Sequence, residues 1–238
     1  MKRKYQIYIL NTMIAILIGV FLFSTYRFIR ISYYKESNKK TNNKIIKEVV
    51  IPNDSSNDEN KEDGEFKIDF AKLKEINSDV VGWIYIPGTK INYPIVKRKD
   101  NWYYLNHDIY KKYNIMGSIF MNAWNQSDFS DSNTILFGHN NHQDSLMFTD
   151  LKEIYDGVLG NELTIYIYTE KETYTYQIYS VYLASPSDET PLNMKTNFFD
   201  HTEREFIYDK SDSVKTLTLS TCYKDSSQRI IVHASRNV

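Results

Sequence analysis

The stretch Thr216-Leu217-Thr218-Leu219-Ser220-Thr221-Cys222, followed across a short connection by Arg229-Ile230-Ile231-Val232-His233-Ala234, decides how this chain is read. Both runs favour extended backbone, and side chains on a strand alternate between two faces. Ser220 and Cys222 therefore share one face, with Leu217, Leu219 and Thr221 on the other. Arg229, Ile231 and His233 share a face by the same rule. Paired as a hairpin, the two runs bring a thiol, a hydroxyl and a guanidinium to one rim. Cys222 is the only cysteine of the chain, so it forms no internal disulfide. It is either a small buried hydrophobe or a nucleophile. A cation across a short loop is what a thiolate-based acyl transfer needs.

Upstream of this pair the body reads as a series of strands. Phe70, Leu73 and Ile76 have helical spacing, stopped by Asn77-Ser78. Val80 to Ile86 reads as a strand ended by the turn dipeptide Pro87-Gly88. Ile91 to Val96, Gly117 to Met121 and Asn133 to His139 follow as strands, the last apolar enough for burial on both faces. Phe148 to Ile154 reads as a short helix. Leu163–Thr169 and Thr173–Leu183 alternate strongly around Glu170-Lys171-Glu172 and predict a long hairpin. Phe198 to Tyr208 reads as a helix between late strands. Many strands with few helices predict a mainly-β fold, a barrel or a sandwich.

The N-terminus differs from the rest. Lys2, Arg3 and Lys4 precede a stretch from Ile7 to Phe23 that is apolar apart from Tyr8, Asn11 and Thr12. With Ser24-Thr25-Tyr26 it is long enough to span a bilayer, and Tyr5, Tyr8 and Tyr26 suit the interfaces. No small-residue cleavage site follows Phe23, so the expectation is an uncleaved anchor. Residues 1–6 are then a cytoplasmic tail, 7–26 the transmembrane segment, 27–65 a polar stalk with a short helix near Lys44–Val50, and 66–238 the catalytic body. The flanking charges nearly balance, so the orientation, body outside, rests on the shortness of the tail. Overall, 29 Lys and Arg against 30 Asp and Glu leave a net charge of −1, which argues against broad nucleic-acid binding.

A thiol that transfers acyl groups needs a proton carrier. Of His107, His139, His142, His201 and His233, His139 is the best placed, because Gly138-His139 ends a buried strand where a rigid scaffold can present a reactive group. His233 sits inside a strand and reads as structural, and His201 as exposed. His139 and His142 lack the glutamate between them that a zinc-hydrolase helix carries, so no metal and no cofactor is expected.

Thr218-Leu219-Ser220-Thr221-Cys222 with Arg229 resembles the cysteine and arginine signature of sortases, the cysteine transpeptidases of Gram-positive cell surfaces. Asn133-Thr134-Ile135-Leu136-Phe137-Gly138-His139-Asn140 is similar to their histidine segment. Asp79 to Thr89, Ile91 to Val96, Tyr103 to Asp108, Gly117 to Met121 and Ser145 to Phe148 resemble class B members in the same order. The resemblance implies a closed eight-stranded β-barrel with added helices at its N-terminus and between late strands. It implies Cys222 as nucleophile, His139 as general acid and base, and Arg229 as the group holding the substrate carbonyl and oxyanion. Ser220, Thr221 and Tyr223 are the expected substrate-contact residues. The implied partners are secreted proteins bearing a C-terminal sorting motif, cleaved after threonine, and an amine of a peptidoglycan precursor. The implied location is the cell membrane, with a single span and an extracellular body. A surface cysteine peptidase that mainly hydrolyses, or a non-catalytic binding module on a membrane stalk, would use the same parts.

Overall fold

A computed structural model of the protein describes residues 2–52, 66–140, 146–159, 163–195, 214–223 and 227–237. It opens with a continuous helix, α1 (Lys2–Val49), of 48 residues. At 1.5 Å per residue α1 is about 72 Å long. Two short strands, β1 (Val50–Pro52) and β2 (Phe66–Ile68), pair antiparallel, and α2 (Phe70–Ile76) follows. The Asp69 side chain accepts from Lys72 N–H and caps α2.

The remaining strands are β3 (Val80–Tyr85), β4 (Asn92–Val96), β5 (Ile119–Met121), β6 (Asn133–Phe137), β7 (Thr164–Tyr168), β8 (Thr173–Ala184), β9 (Val214–Tyr223) and β10 (Gln228–Asn237). These eight close into a barrel in the order β10-β8-β7-β3-β4-β5-β6-β9. Pairing is antiparallel except at β4–β5 and β6–β9. The closed barrel is the architecture the sequence resemblance implies. A short helix, α3 (Leu151–Tyr155), and single 3-10 turns at Tyr103–Leu105 and Thr190–Leu192 fill the connections. The helix expected over Phe198–Tyr208, with His142 and His201, lies outside the described residues.

Alternation sets the core. Leu217 and Leu219 of β9, Ile230, Val232 and Ala234 of β10, and Ile165 and Ile167 of β7 pack inside the barrel with Ile84, Ile95, Met121 and Leu136. A second cluster lies outside the barrel. Trp83, Val96, Phe120 and Tyr168 on the strands meet Phe70 and Leu73 of α2 and Ile45 and Val49 of α1.

That second cluster changes the picture of the N-terminal region. The stretch read as a polar stalk over 27–65 is helical as far as Val49, well beyond the short helix expected near Lys44–Val50. Within it, Ile45, Ile46 and Val49 recur at helical spacing and seal the face of α1 against the body. The first half of α1 makes no such contact. An 18-residue window there has a mean hydropathy of 2.3 and none of it is buried.

Candidate active site

The site is assembled by backbone register at one end of the barrel. β9 and β10 pair so that Cys222 stands opposite Arg229, Ser220 opposite Ile231 and Thr218 opposite His233. Directly opposed residues of an antiparallel pair belong to the same face. The hairpin therefore places the cysteine and arginine positions side by side at its turn end. The connection is shorter than it looks in the sequence, because Tyr223 and Gln228 also pair. Arg229 is half-buried, and among the described residues no carboxylate pairs with its guanidinium.

β6 brings the histidine. It runs parallel to β9, with Phe137 beside Ser220. One residue on, Gly138 N–H donates to the Ser220 carbonyl at 3.4 Å and the Gly138 carbonyl accepts from Thr221 Oγ1 at 2.7 Å. His139 thus leaves the sheet beside the residues that precede Cys222. Gly138 must be small, since a Cβ there would stand 2.7 Å from the Phe148 ring. The His139 carbonyl accepts from Phe148 N–H at 3.0 Å.

The imidazole of His139 is half-buried, and its Nε2 lies 2.7 Å from the Leu105 carbonyl oxygen. A carbonyl only accepts, so Nε2 carries the proton and Nδ1 is the basic nitrogen of the neutral ring. Sequence reasoning missed this partner. A main-chain oxygen in a 3-10 turn leaves no mark in residue types.

Of the expected substrate-contact residues, Ser220 is buried on the face that alternation assigns to Cys222. Thr221 is buried too, and its hydroxyl is engaged with Gly138. Tyr223 closes the hairpin opposite Gln228.

The other end of the same face is built differently. His233 is fully buried. Its Nδ1 lies 2.9 Å from Thr218 Oγ1, which donates to Asn133 Oδ1 at 2.7 Å. Asn133 Nδ2 in turn donates to the carbonyls of Asn193 at 3.2 Å and Pro191 at 3.4 Å. Because the Thr218 proton is used, the His233 proton sits on Nδ1, and Nε2 faces the Tyr182 hydroxyl at 3.0 Å. Burial pushes the Tyr182 phenol well above its ordinary range, so it remains a neutral hydroxyl. The network ties β6, β8, β9 and β10 to the turn at Thr190–Leu192. No sequence signal pointed to it beyond the strand-interior place of His233.

With this geometry in view, the comparisons with known proteins are specific. A model of the sortase domain matches residues 84–237. Sortase B of Listeria monocytogenes is 31% identical over 230 residues, covering 92% of this chain and 92% of that one. The crystal structure of Clostridium perfringens sortase B matches with a TM-score of 0.60 and 31% identity, covering 70% of this chain and 98% of that one. A Staphylococcus aureus sortase B–substrate complex matches with a TM-score of 0.60 and 28% identity, covering 71% and 85%. The chain belongs to the sortase family, and within it to class B. Its activity class is accordingly that of a cysteine transpeptidase.

Proposed function

We propose that Cys222, His139 and Arg229 carry out a transpeptidation on the C-terminal sorting motif of secreted proteins. The observation that carries this reading is the register that sets Cys222 opposite Arg229 while β6 delivers His139 beside Ser220 and Thr221. A thiol with a pKa of about 8.5 is only a few per cent ionised at neutral pH, so a neighbouring cation helps. The Cys222 thiolate attacks the threonine carbonyl of the motif. Arg229 donates its paired N–H groups to the oxygen that becomes negative, a task its planar, permanently charged fork suits. His139, carrying on Nδ1 the proton that the Cys222 thiol gave up, passes it to the departing amine as the C–N bond breaks, leaving a thioacyl-enzyme on Cys222. The incoming amine of a peptidoglycan precursor loses its proton to His139, attacks the thioester and releases Cys222 with a new amide formed.

Ser220, on the cysteine face, and Tyr223, at the hairpin end, contact the substrate peptide. Thr221 sits in the same wall, and its bond to Gly138 holds the histidine segment against it. The similarity to an S. aureus sortase B–substrate complex supports a substrate-binding role for this chain. Residues 7–26 of α1 anchor the chain in the membrane, with residues 1–6 inside and the body outside, where secreted proteins pass. Its exposed apolar face supports the anchor.

Turnover of sorting-motif peptides by the purified protein, with and without an added amine, tests the reading. The expected product with amine is an amide, and Cys222→Ala is expected to abolish it. Normal turnover by Cys222→Ala, or hydrolysis unaffected by amine, would overturn it.

A further inference from the structure

The turn that holds His139 is itself held. Gly117 has a φ of 59°, in the left-handed region that favours glycine. A Cβ there would stand 2.5 Å from the Tyr104 carbonyl oxygen and 2.7 Å from that of Leu105. Ser118 N–H donates to the Tyr104 carbonyl at 3.0 Å, and Ser118 Oγ to the His107 carbonyl at 2.9 Å. The backbone at Gly117 and Ser118 thus lies directly against the turn whose Leu105 carbonyl binds His139. On its own carbonyl, Gly117 accepts from Asn38 Nδ2 of α1 at 3.3 Å. Four residues earlier on α1, the Tyr34 carbonyl accepts from Asn114 Nδ2 at 3.4 Å. Contact therefore runs unbroken from α1 through Gly117 and Leu105 to His139.

Asn38 is only 4% exposed, and its Oδ1 has no hydrogen-bond partner among the described residues. A buried polar atom without a partner is destabilising, and an apolar residue would fill this place without it. What asparagine supplies here is its one bond to Gly117.

We propose that Gly117 and Asn38 are positioning residues for His139. The docked half of α1 braces Gly117, Gly117 fixes the Leu105 carbonyl, and that carbonyl sets the orientation and tautomer of the imidazole. The proposal rests on His139 as the proton carrier for its effect on rate, but not for its effect on the ring.

The test uses the full-length protein in detergent, labelled with 15N-histidine, with Asn38→Ala, Gly117→Ala and a control, Asn42→Ala. Asn42 lies one turn further along α1 and donates to the Asn92 carbonyl on β4 at 3.2 Å, away from the His139 turn. The readouts are the His139 Nε2–H resonance with its solvent exchange, and kcat and KM for a sorting-motif peptide. A reacting group displaced by about 1 Å can lose up to roughly 100-fold in rate. For Asn38→Ala we expect faster Nε2–H exchange and a kcat about tenfold lower, with KM changed by less than about twofold. Gly117→Ala is expected to do the same more strongly, and Asn42→Ala to do neither. Should Gly117→Ala fail to fold, Asn38→Ala carries the test alone. An unchanged His139 resonance in Asn38→Ala, or an equal change in Asn42→Ala, overturns the proposal. A changed resonance with unchanged kcat upholds the positioning and overturns His139 as the proton carrier.

Discussion

His139, just past the end of β6, and His233, inside β10, belong to the two strands that pair with β9, yet their surroundings differ. His233 is fully buried, with Thr218 at one nitrogen, Tyr182 at the other, and Asn133 completing the chain. His139 is half-buried and gives one nitrogen to a main-chain carbonyl. A histidine whose two nitrogens are both engaged by buried side chains is a structural cross-link. His139, held among the described residues through a single nitrogen at a strand end, keeps the other for the chemistry proposed for it. What separates the two is the number of committed nitrogens and the depth of burial.

That contrast can be broken, and the largest expected effect is on His139. His139→Ala should lower kcat/KM by about 10² to 10⁴, the usual contribution of a general acid and base, with the melting temperature hardly moved. A variant that keeps full activity would remove His139 from the chemistry. Next, Arg229→Ala should reduce the rate by about 10² to 10³, as loss of an oxyanion donor does, with Arg229→Lys also poor because it lacks the fork. Steady-state kinetics with a sorting-motif peptide measures both, and a fully active lysine variant would leave only the charge as important.

The remaining effects fall on stability. His233→Ala should destabilise the fold by roughly 3 kcal/mol, from lost packing and the loss of its hydrogen bonds to Thr218 and Tyr182. The folded fraction should stay active. Denaturant unfolding measures the first and active-site titration the second. Thr218→Val keeps the shape but removes the hydroxyl between His233 and Asn133, and should be destabilising by about 1–3 kcal/mol. Unchanged stability in both variants would mean the network is incidental. Activity loss in either without unfolding would mean His233 takes part in the reaction.

Much of this was readable from residue order. Alternation alone put Ser220 with Cys222 on one face and Leu217 and Leu219 on the other, because successive side chains of a strand point to opposite faces. The parallel approach of β6 to β9 was less accessible, since pairing between distant strands depends on closure of the whole barrel. The helical run of α1 to Val49 was hidden by composition. Lysine, asparagine and glutamate there look like a solvated linker, and only Ile45, Ile46 and Val49 disclose the docked face. The Leu105 and Gly117 contacts of the His139 mount were least readable. They are main-chain contacts, and a glycine reports only that something comes close, not what.

The measurement that bears most directly on the account is the mass of the protein trapped during turnover of a sorting-motif peptide, followed by mapping of the modified fragment. The account predicts an added acyl group on the fragment containing Cys222, labile to hydroxylamine as a thioester is and absent from Cys222→Ala. Turnover with no adduct, or an adduct carried by any other residue, would contradict it.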